Sequence, residues 1–317
     1  MNENKIMVSV CMITYNHETY ISDAIEGVLM QKTTFPFELI IGEDCSTDNT
    51  RDICIEYQNK YPNIIKLNFP EKNMGVLHNF TNTLKSGNGK YIAFCEGDDY
   101  WIDSSKLQEQ VNFLESHSDY GLVFTDVNWY YQEKNKLIKS VFKNGIIKHK
   151  IDFNWHLINS GYFAPCTWLC RKEYLPSIES KTYVDSTFPW LLDIMAVSKV
   201  YFLSKTTTNY RVLPESASHS KNVNNTFQYM NDIYQIKLDY VKKYNVNNSI
   251  LWVIKQKHYD HILIMSIMSD NNESIKECLD FFSTNKPLRN QTKLVIALCQ
   301  KKYGRAFIKS LYAIMHR

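Results

Sequence analysis

The first hundred residues alternate between two patterns of hydrophobic positions. Short runs rich in β-branched and other apolar residues at 6–13, 37–41, 64–69 and 91–95 predict buried strands. Between the first two runs, apolar residues recur every three to four positions over 21–29 and predict a helix that buries one face. Strands and helices in strict alternation favour right-handed βαβ units, so the sequence predicts a parallel sheet with helices on its faces.

The alternation loosens after residue 100. Weaker patterns predict two helices and three strands, in the order 107–114, 122–125, 167–170, 190–197 and 200–203. From about Thr226 onward the chain has helical spacing and almost no strand signal. We therefore expect an α/β region over 1–222 and a mainly helical region over 223–317.

Composition narrows the class of protein without changing this organisation. The 317 residues include 36 basic and 33 acidic side chains, and a net charge of +3 does not favour a nucleic-acid partner. No apolar run reaches the ~18 residues of a membrane span, and the first five residues lack a signal-peptide pattern. The eight cysteines form no CxxC pair. These features predict a cytoplasmic protein with reduced, structural cysteines.

Polar side chains follow three of the predicted strands. Tyr15 and Asn16 come after the first strand, Asp44 after the second, and Asp98 and Asp99 after the fourth. Because the carboxyl ends of parallel strands meet at one edge of a sheet, these residues should line one crevice. Adjacent carboxylates repel unless a cation lies between them, and oxygen ligands suit Mg²⁺ or Mn²⁺. The alternatives are a metal–diphosphate site and a solvated acidic turn.

Several segments together carry a resemblance to a known family. Their positions are 8–16, 43–50, 73–75, 89–101 and 210–212. In order and spacing they resemble the inverting nucleotide-sugar glycosyltransferases of family 2, over about two thirds of the chain. The form Cys-Glu-Gly-Asp-Asp-Tyr-Trp at 95–101 is similar to a bacterial subgroup of surface-polysaccharide synthesis. The resemblance implies the GT-A fold, a Rossmann-like, mainly parallel sheet flanked by helices, here with a helical C-terminal extension.

The resemblance also implies roles for the crevice residues. The implied nucleotide site, for a UDP-sugar, consists of Tyr15, Asn16, Asp44, Asn73 and Asp98. Tyr15 would stack on the base, Asp44 would accept from its imide N–H, and Asn73 would contact its edge. Asp98 would bind the ribose or bridge toward a metal. Asp99 would ligate the divalent ion, Mn²⁺ or Mg²⁺, that offsets charge on the leaving diphosphate.

The sequence departs from the family pattern in several places. Glu96 and Gly97 stand where many members have Asp-Ser, and Phe80 stands where an arginine that reaches the diphosphate is frequent. Leu213 replaces a frequent histidine, and His219 is the expected substitute as a metal ligand.

An inverting transferase needs one carboxylate to take the proton of the acceptor hydroxyl. Family members carry this aspartate shortly before a leucine-rich helix, which corresponds here to 190–197. Asp185 precedes that helix and is our expected general base, with Asp193 inside the helix as the rival. Either residue could instead cap the helix or be a solvated charge.

The implied reaction is the transfer of a monosaccharide, with inversion, to a glycan or lipid-linked acceptor. A sugar nucleotidyltransferase is one alternative, but such enzymes open with a glycine-rich loop and 14–18 contains no glycine. A non-catalytic nucleotide-sugar-binding module is another, but it would not need Asp98 and Asp99.

The last part of the chain predicts one more property. Residues 284–317 contain eight basic side chains and no acidic one, with apolar residues at helical spacing. A basic amphipathic helix of this kind can lie on an anionic membrane, and peripheral contact at the inner face of a membrane is therefore one of two interpretations. The alternative is a helix that packs on the catalytic domain with its lysines in water.

Overall fold

The computed structural model of the chain describes residues 5–146, 151–160, 163–175, 187–213, 222–287 and 289–315. Contacts among these residues divide the chain into two units. The first holds 5–146, 151–153, 163–175 and 187–213, and the second holds 154–160 together with the described residues from 222 onward. The predicted boundary near residue 222 adjoins 214–221, which lie outside the described residues, and stays a prediction.

The N-terminal half of the first unit has the predicted alternation of strands and helices. Its elements are β1 (Val8–Thr14), α1 (Ile21–Leu29), β2 (Phe37–Glu43), α2 (Thr50–Lys60), β3 (Ile65–Asn68), α3 (Val76–Lys85) and β4 (Tyr91–Phe94). The strands pair in parallel in the order β3-β2-β1-β4. Consecutive residues such as Val10, Cys11 and Met12 are all buried, because helices cover both faces of this part of the sheet.

The rest of the first unit makes the sheet mixed. Its elements are β5 (Tyr100–Trp101), α4 (Lys106–Ser116), β6 (Tyr120–Tyr131), β7 (Lys136–Ile138), β8 (Trp168–Arg171), α6 (Thr187–Val197) and β9 (Lys199–Val212). Within the described residues, nine strands form one sheet in which β8 runs antiparallel to β4 and β6, while β9 runs parallel to β6. β5 pairs with β9, and β7 with β6, both antiparallel. The α/β class with a helix-flanked sheet is confirmed, and the parallel arrangement is concentrated in the first four strands.

The second unit is helical, as predicted. It contains α5 (Phe153–Asn159), α7 (Val223–Lys243), α8 (Asn248–Met268), α9 (Asn272–Thr284), α10 (Asn290–Cys299) and α11 (Gly304–Met315). Asparagine side chains accept backbone N–H groups at the first turns of α7, α8 and α9. The unit has its own apolar core, which includes Ile262, Leu263, Ile275 and Ile308. None of the helices in the described part of the chain combines the length and apolar character that a membrane crossing requires.

Two lysines join α5 to the longer helices of the second unit. The Nζ atom of Lys237 donates to the carbonyl oxygen of Ile158 at 2.9 Å, and that of Lys257 donates to Oδ1 of Asn159 at 2.5 Å. Both ammonium groups therefore lie at the C-terminal end of α5, where unpaired carbonyls and the helix dipole favour a positive charge. This contact explains why the unpredicted α5 groups with the C-terminal helices.

Candidate active site

The ends of β1 and β2 are joined by hydrogen bonds between the loops that follow them. Asn16 adopts a left-handed conformation (φ 55°). Its backbone N–H donates to Oγ of Ser46 at 2.9 Å, and its Oδ1 accepts the N–H of Thr47 at 2.8 Å. The Asn16 side chain thus holds the two loops together. Tyr15, immediately before it, is 42% exposed, which leaves its ring accessible to a flat ligand.

Asp44 is the buried anion of this corner. Its Oδ1 accepts the N–H of Met74 at 2.8 Å, and its Oδ2 accepts the N–H of Gly75 at 2.9 Å. Nδ2 of Asn73 donates to the carbonyl oxygen of Asp44 at 2.9 Å. The structure therefore brings Asp44 and Asn73 into direct contact. Each carboxylate oxygen has two acceptor positions, so Asp44 can still accept a donor from a ligand.

The turn after β4 lies beside the same end of β1. The N–H of Gly97 donates to the carbonyl oxygen of Ile13 at 3.0 Å, while the N–H of Asp44 donates to that of Thr14 at 3.1 Å. The Asp44 corner and the Asp98–Asp99 turn therefore flank the last residues of β1. The predicted convergence of polar residues at one edge of the sheet occurs for these two groups.

Arg211, near the end of β9, holds the Asp98–Asp99 turn. Its backbone N–H donates to Oδ1 of Asp99 at 2.8 Å, and its Nη1 donates to the carbonyl oxygen of Asp98 at 2.9 Å. Its Nη2 forms an ion pair with Asp23, and its guanidinium carbon lies 4.5 Å from the centre of the Tyr100 ring. The pairing of β5 with β9 places this arginine beside the turn.

Two carboxylates and one thiol form a cluster at this turn. The ligand atoms of Glu96, Asp99 and Cys166, which we call the acid–thiol cluster, lie within 4.8 Å of one another. Asp99 and Cys166 are almost fully buried, and Oε2 of Glu96 is buried with no hydrogen-bond partner. This donor set suits a divalent cation, because two carboxylates already approach each other and one oxygen has no other partner.

Burial and repulsion control the protonation of this cluster. Burial, with a contribution from the charge of Asp98, raises the pKa of Glu96 to about 7. The pKa of Asp99 is raised well above its ordinary value, first by burial and then by the charges of Asp98 and Glu96. Burial and the neighbouring carboxylates also raise the pKa of the Cys166 thiol. A bound cation would lower the pKa values of Glu96 and Asp99 again, because a positive charge favours the charged carboxylates.

Phe80 belongs to an aromatic cluster. Its ring centre lies 5.6 Å from that of Phe94 and 5.2 Å from that of Trp190. An arginine here would place a charge against these rings, so the departure from the family pattern has a packing reason. Arg211, on β9, is a buried cation beside the acidic turn.

The contacts described above do not include the residues expected as the general base or as the additional metal ligand. Asp185 and His219 lie outside the described residues. Asp193 is half-buried on α6 and interacts with neighbouring groups. The roles of all three stay predictions.

Sequence reasoning missed two participants of the site. Arg211 lies within the 210–212 segment that carries the resemblance, so its presence was visible, but its contact with the acidic turn was not. Cys166 had no such signal, since it lies 70 residues beyond Glu96 in a segment without clear periodicity. A buried thiol is ordinarily a small hydrophobe, and only its proximity to two carboxylates marks it.

The family model for Glycosyl transferase family 2 matches residues 9–178, more than half of the chain. Among curated proteins, the uncharacterized protein Rv1520 of Mycobacterium tuberculosis is 41% identical over 129 residues, which are 41% of this chain and 37% of that protein. The chain thus spans well under two thirds of that relative. Escherichia coli WfgD, named UDP-Glc:alpha-D-GlcNAc-diphosphoundecaprenol beta-1,3-glucosyltransferase, is 27% identical over 265 residues, 80% of this chain and 96% of that protein.

A solved structure shares this fold. S. aureus TarS 1–349 in complex with UDP-GlcNAc has a TM-score of 0.61 at 18% identity, over 97% of this chain and 92% of that chain. At this identity the likeness shows the fold, and the mixed α/β architecture matches the GT-A glycosyltransferases. The family match, which includes the Asp44 corner and the acidic turn, agrees with the resemblance found in the sequence. The chain belongs to glycosyl transferase family 2.

Proposed function

We propose that the protein is an inverting glycosyltransferase of bacterial surface-polysaccharide synthesis. It would move a monosaccharide from a nucleoside-diphosphate sugar, of the UDP type, to a glycan or lipid-linked acceptor. The observation that carries this proposal is that the Asp44 corner and the acid–thiol cluster flank one end of β1. A nucleoside diphosphate requires a base-recognition site and a cation site within the length of one molecule, and this edge offers candidates for both.

The nucleotide would occupy the crevice between these groups. Tyr15 offers an exposed ring for stacking on the base. Asp44 would accept the imide N–H, because two backbone N–H groups hold its carboxylate in place. Asn73 would contact the base edge, Asn16 would contribute by fixing the two loops, and Asp98 would bind the ribose or bridge toward the metal.

A divalent cation, Mn²⁺ or Mg²⁺, would be held by Asp99 together with Glu96, with His219 as a further ligand. When bound, such an ion acts as a Lewis acid on the diphosphate. The chain's own contribution is to hold the turn. Arg211 binds the backbone at Asp98 and one oxygen of Asp99, and this holds the Asp99 carboxylate beside Glu96 and Cys166.

The proton of the acceptor hydroxyl would pass to the carboxylate of Asp185, with Asp193 as the alternative base. As the proton leaves, the acceptor oxygen bonds to the anomeric carbon and the bond from that carbon to the diphosphate oxygen breaks on the opposite face. The nucleoside diphosphate departs as an anion, so no protein acid is needed on that side.

The name of one relative supports the proposed lipid-linked acceptor. WfgD is named for an acceptor that carries diphosphoundecaprenol, and a lipid of this kind resides in a membrane. We therefore propose a cytoplasmic protein that works at the inner face of a membrane, in peripheral contact through its basic C-terminal tail.

Thermal unfolding with UDP, GDP and Mn²⁺ tests the donor and metal sites together. We expect UDP to stabilise the protein only when Mn²⁺ is present, by about 2.7 kcal/mol at a ligand concentration ~100 times Kd. Asp99→Asn should lose this response. Asp119→Asn, an exposed aspartate paired with Lys199, is the matched control and should retain it. An equal response without metal, or a full response in Asp99→Asn, would disprove the proposed metal site.

A further inference from the structure

The outer face of α11 is apolar and exposed. Phe307 and Leu311 on α11 are 53% and 40% exposed, and Tyr303, immediately before the helix, is 73% exposed. The three residues follow one another at intervals of four, and the N–H of Phe307 donates to the carbonyl oxygen of Tyr303 at 3.1 Å, so Tyr303 continues the line of the first turn. Residues four apart lie on one side of a helix, so the three side chains form one line, which we call the apolar stripe. Single exposed apolar residues need no explanation, but several on one side of a helix give that helix an amphipathic character.

The opposite face of α11 fixes the direction in which the stripe points. Ile308 is only 6% exposed and belongs to the core of the second unit. Lys309 forms a 2.5 Å ion pair with Asp270, and Nη1 of Arg305 donates to Oδ1 of Asn272 at 2.7 Å. These contacts hold α11 on its own unit, so the stripe faces outward because the inner face is already occupied.

The surroundings of the stripe are basic. Lys301 and Lys302, which we call the basic rim, are both exposed, and Nζ of Lys302 lies 5.5 Å from the centre of the Tyr303 ring. Lys293 on α10 is also exposed, and residues 285–317 contain no acidic side chain. The rim therefore presents positive charge that is not neutralised by acids of this segment.

We infer that the apolar stripe and the basic rim dock on the surface of an anionic lipid bilayer. Aromatic and aliphatic side chains of a surface helix enter the boundary between headgroups and acyl chains, while lysines beside them contact anionic headgroups. The stripe suits a bilayer better than a second copy of the chain. Three side chains expose at most a few hundred Å², whereas a stable protein interface buries about 800 Å² per partner. The inference deepens the proposed membrane-bound acceptor, and it needs neither donor nor metal.

Sedimentation of the full chain with lipid vesicles tests the inference. We expect binding to vesicles that contain phosphatidylglycerol at low salt, weaker binding at about 0.5 M salt, and little binding to pure phosphatidylcholine. Replacing both rim lysines, Lys301→Gln with Lys302→Gln, should lower the partition coefficient about 25-fold, because each basic residue near an anionic surface is worth about fivefold. The control pair is Lys134→Gln with Lys136→Gln, two exposed lysines of the first unit, which should change little.

The apolar component has its own pair of variants. Phe307→Ser with Leu311→Ser should lower binding by at least about tenfold, whereas Leu137→Ser with Ile138→Ser, 41% and 37% exposed on β7, should not. Circular dichroism of each variant establishes that the helices are intact. No binding of the wild type to anionic vesicles, or equal losses in the test and control pairs, would overturn the inference. A dimer that dissociates in the Phe307→Ser and Leu311→Ser variant would also overturn it, in favour of a protein interface.

Discussion

Arg211→Met perturbs the support of the acidic turn without removing a metal ligand. The methionine fills much of the space of the arginine stem but lacks its donors. The substitution deletes the 2.9 Å hydrogen bond to the carbonyl oxygen of Asp98, the 3.2 Å hydrogen bond to Oε1 of Gln132 and the ion pair with Asp23. It also removes the charge above the Tyr100 ring. The backbone N–H that binds Asp99 remains.

The size of the effect follows from the burial of each partner. Arg211 is 4% exposed, and a hydrogen bond from a charged donor contributes about 1.5–3 kcal/mol when its partner is left unpaired. The Asp23 side chain is 58% exposed, so that pair contributes at most ~1 kcal/mol, and the ring contact adds a similar amount. A total of about 4 kcal/mol lowers Tm by roughly 10 °C for a unit of this size.

A second buried arginine provides the matched control. Arg171 is 8% exposed, donates to the carbonyl oxygens of Tyr120 at 2.9 Å and Leu114 at 2.5 Å, and lies over the Tyr91 ring. Arg171→Met should lower Tm by a similar amount. Arg171 lies away from the acidic turn, so this variant perturbs stability without touching the site.

Titration calorimetry with UDP and Mn²⁺, at a temperature where both variants are folded, separates stability from site geometry. Arg211→Met should weaken UDP binding at least about tenfold, a loss of 1.4 kcal/mol, whereas Arg171→Met should not weaken it. The reasoning is refuted if Arg211→Met lowers Tm by less than about 2 °C, or if the two variants bind UDP equally well.

Two further outcomes are expected. Asp185→Asn should bind the donor normally but lose a factor of ~10² to 10⁴ in transfer, as is typical of a lost general base; a fully active Asp185→Asn beside an inactive Asp193→Asn would reassign the base. Mn²⁺ affinity should rise at least about tenfold from pH 6 to pH 8, because Glu96, with its pKa raised to about 7 by burial, and Asp99, whose pKa burial also raises, must lose their protons before they bind a cation. Equal calorimetric affinities at the two pH values would contradict a role for Glu96.

The two sides of α11 in the C-terminal tail make different contacts, which the sequence pattern did not distinguish. The side of α11 that carries Ile308 packs on the core of its own helical unit, with Lys309 paired to Asp270, and packing on the catalytic domain stays a prediction. The side that carries Phe307 is exposed and stays available for the proposed membrane contact. Helical periodicity alone does not show which basic residues lie on which side of α11, because it does not specify which side packs on the protein.

Three of the first four strands, β1, β2 and β4, were predictable because each lies between helices and is buried on both faces. At the edge of the sheet, β3 buries only Ile65. Burial on both faces requires an uninterrupted apolar run, and such a run is visible without knowledge of the neighbours. β9 was predicted only at 200–203, whereas it extends over Lys199–Val212. Its register against β6 shifts around Asp126, and Thr207 and Thr208 occupy buried positions. The strand is stabilised by pairing with a partner that is distant in sequence, and local periodicity does not record that pairing.

The sequence by itself determined the fold class, the family and the edge of the sheet where polar residues meet, since these depend on local periodicity and on the order of short segments. Only the tertiary structure decided what those residues contact. Asn16, expected at the nucleotide, uses its side chain to join two loops, and Asp44 is already held by the backbone of 74–75. Cys166 and Arg211 reach the acidic turn from 67 and 112 residues beyond Asp99. Contacts over such separations follow from the pairing of β5, β8 and β9 in one sheet, and no local pattern encodes them.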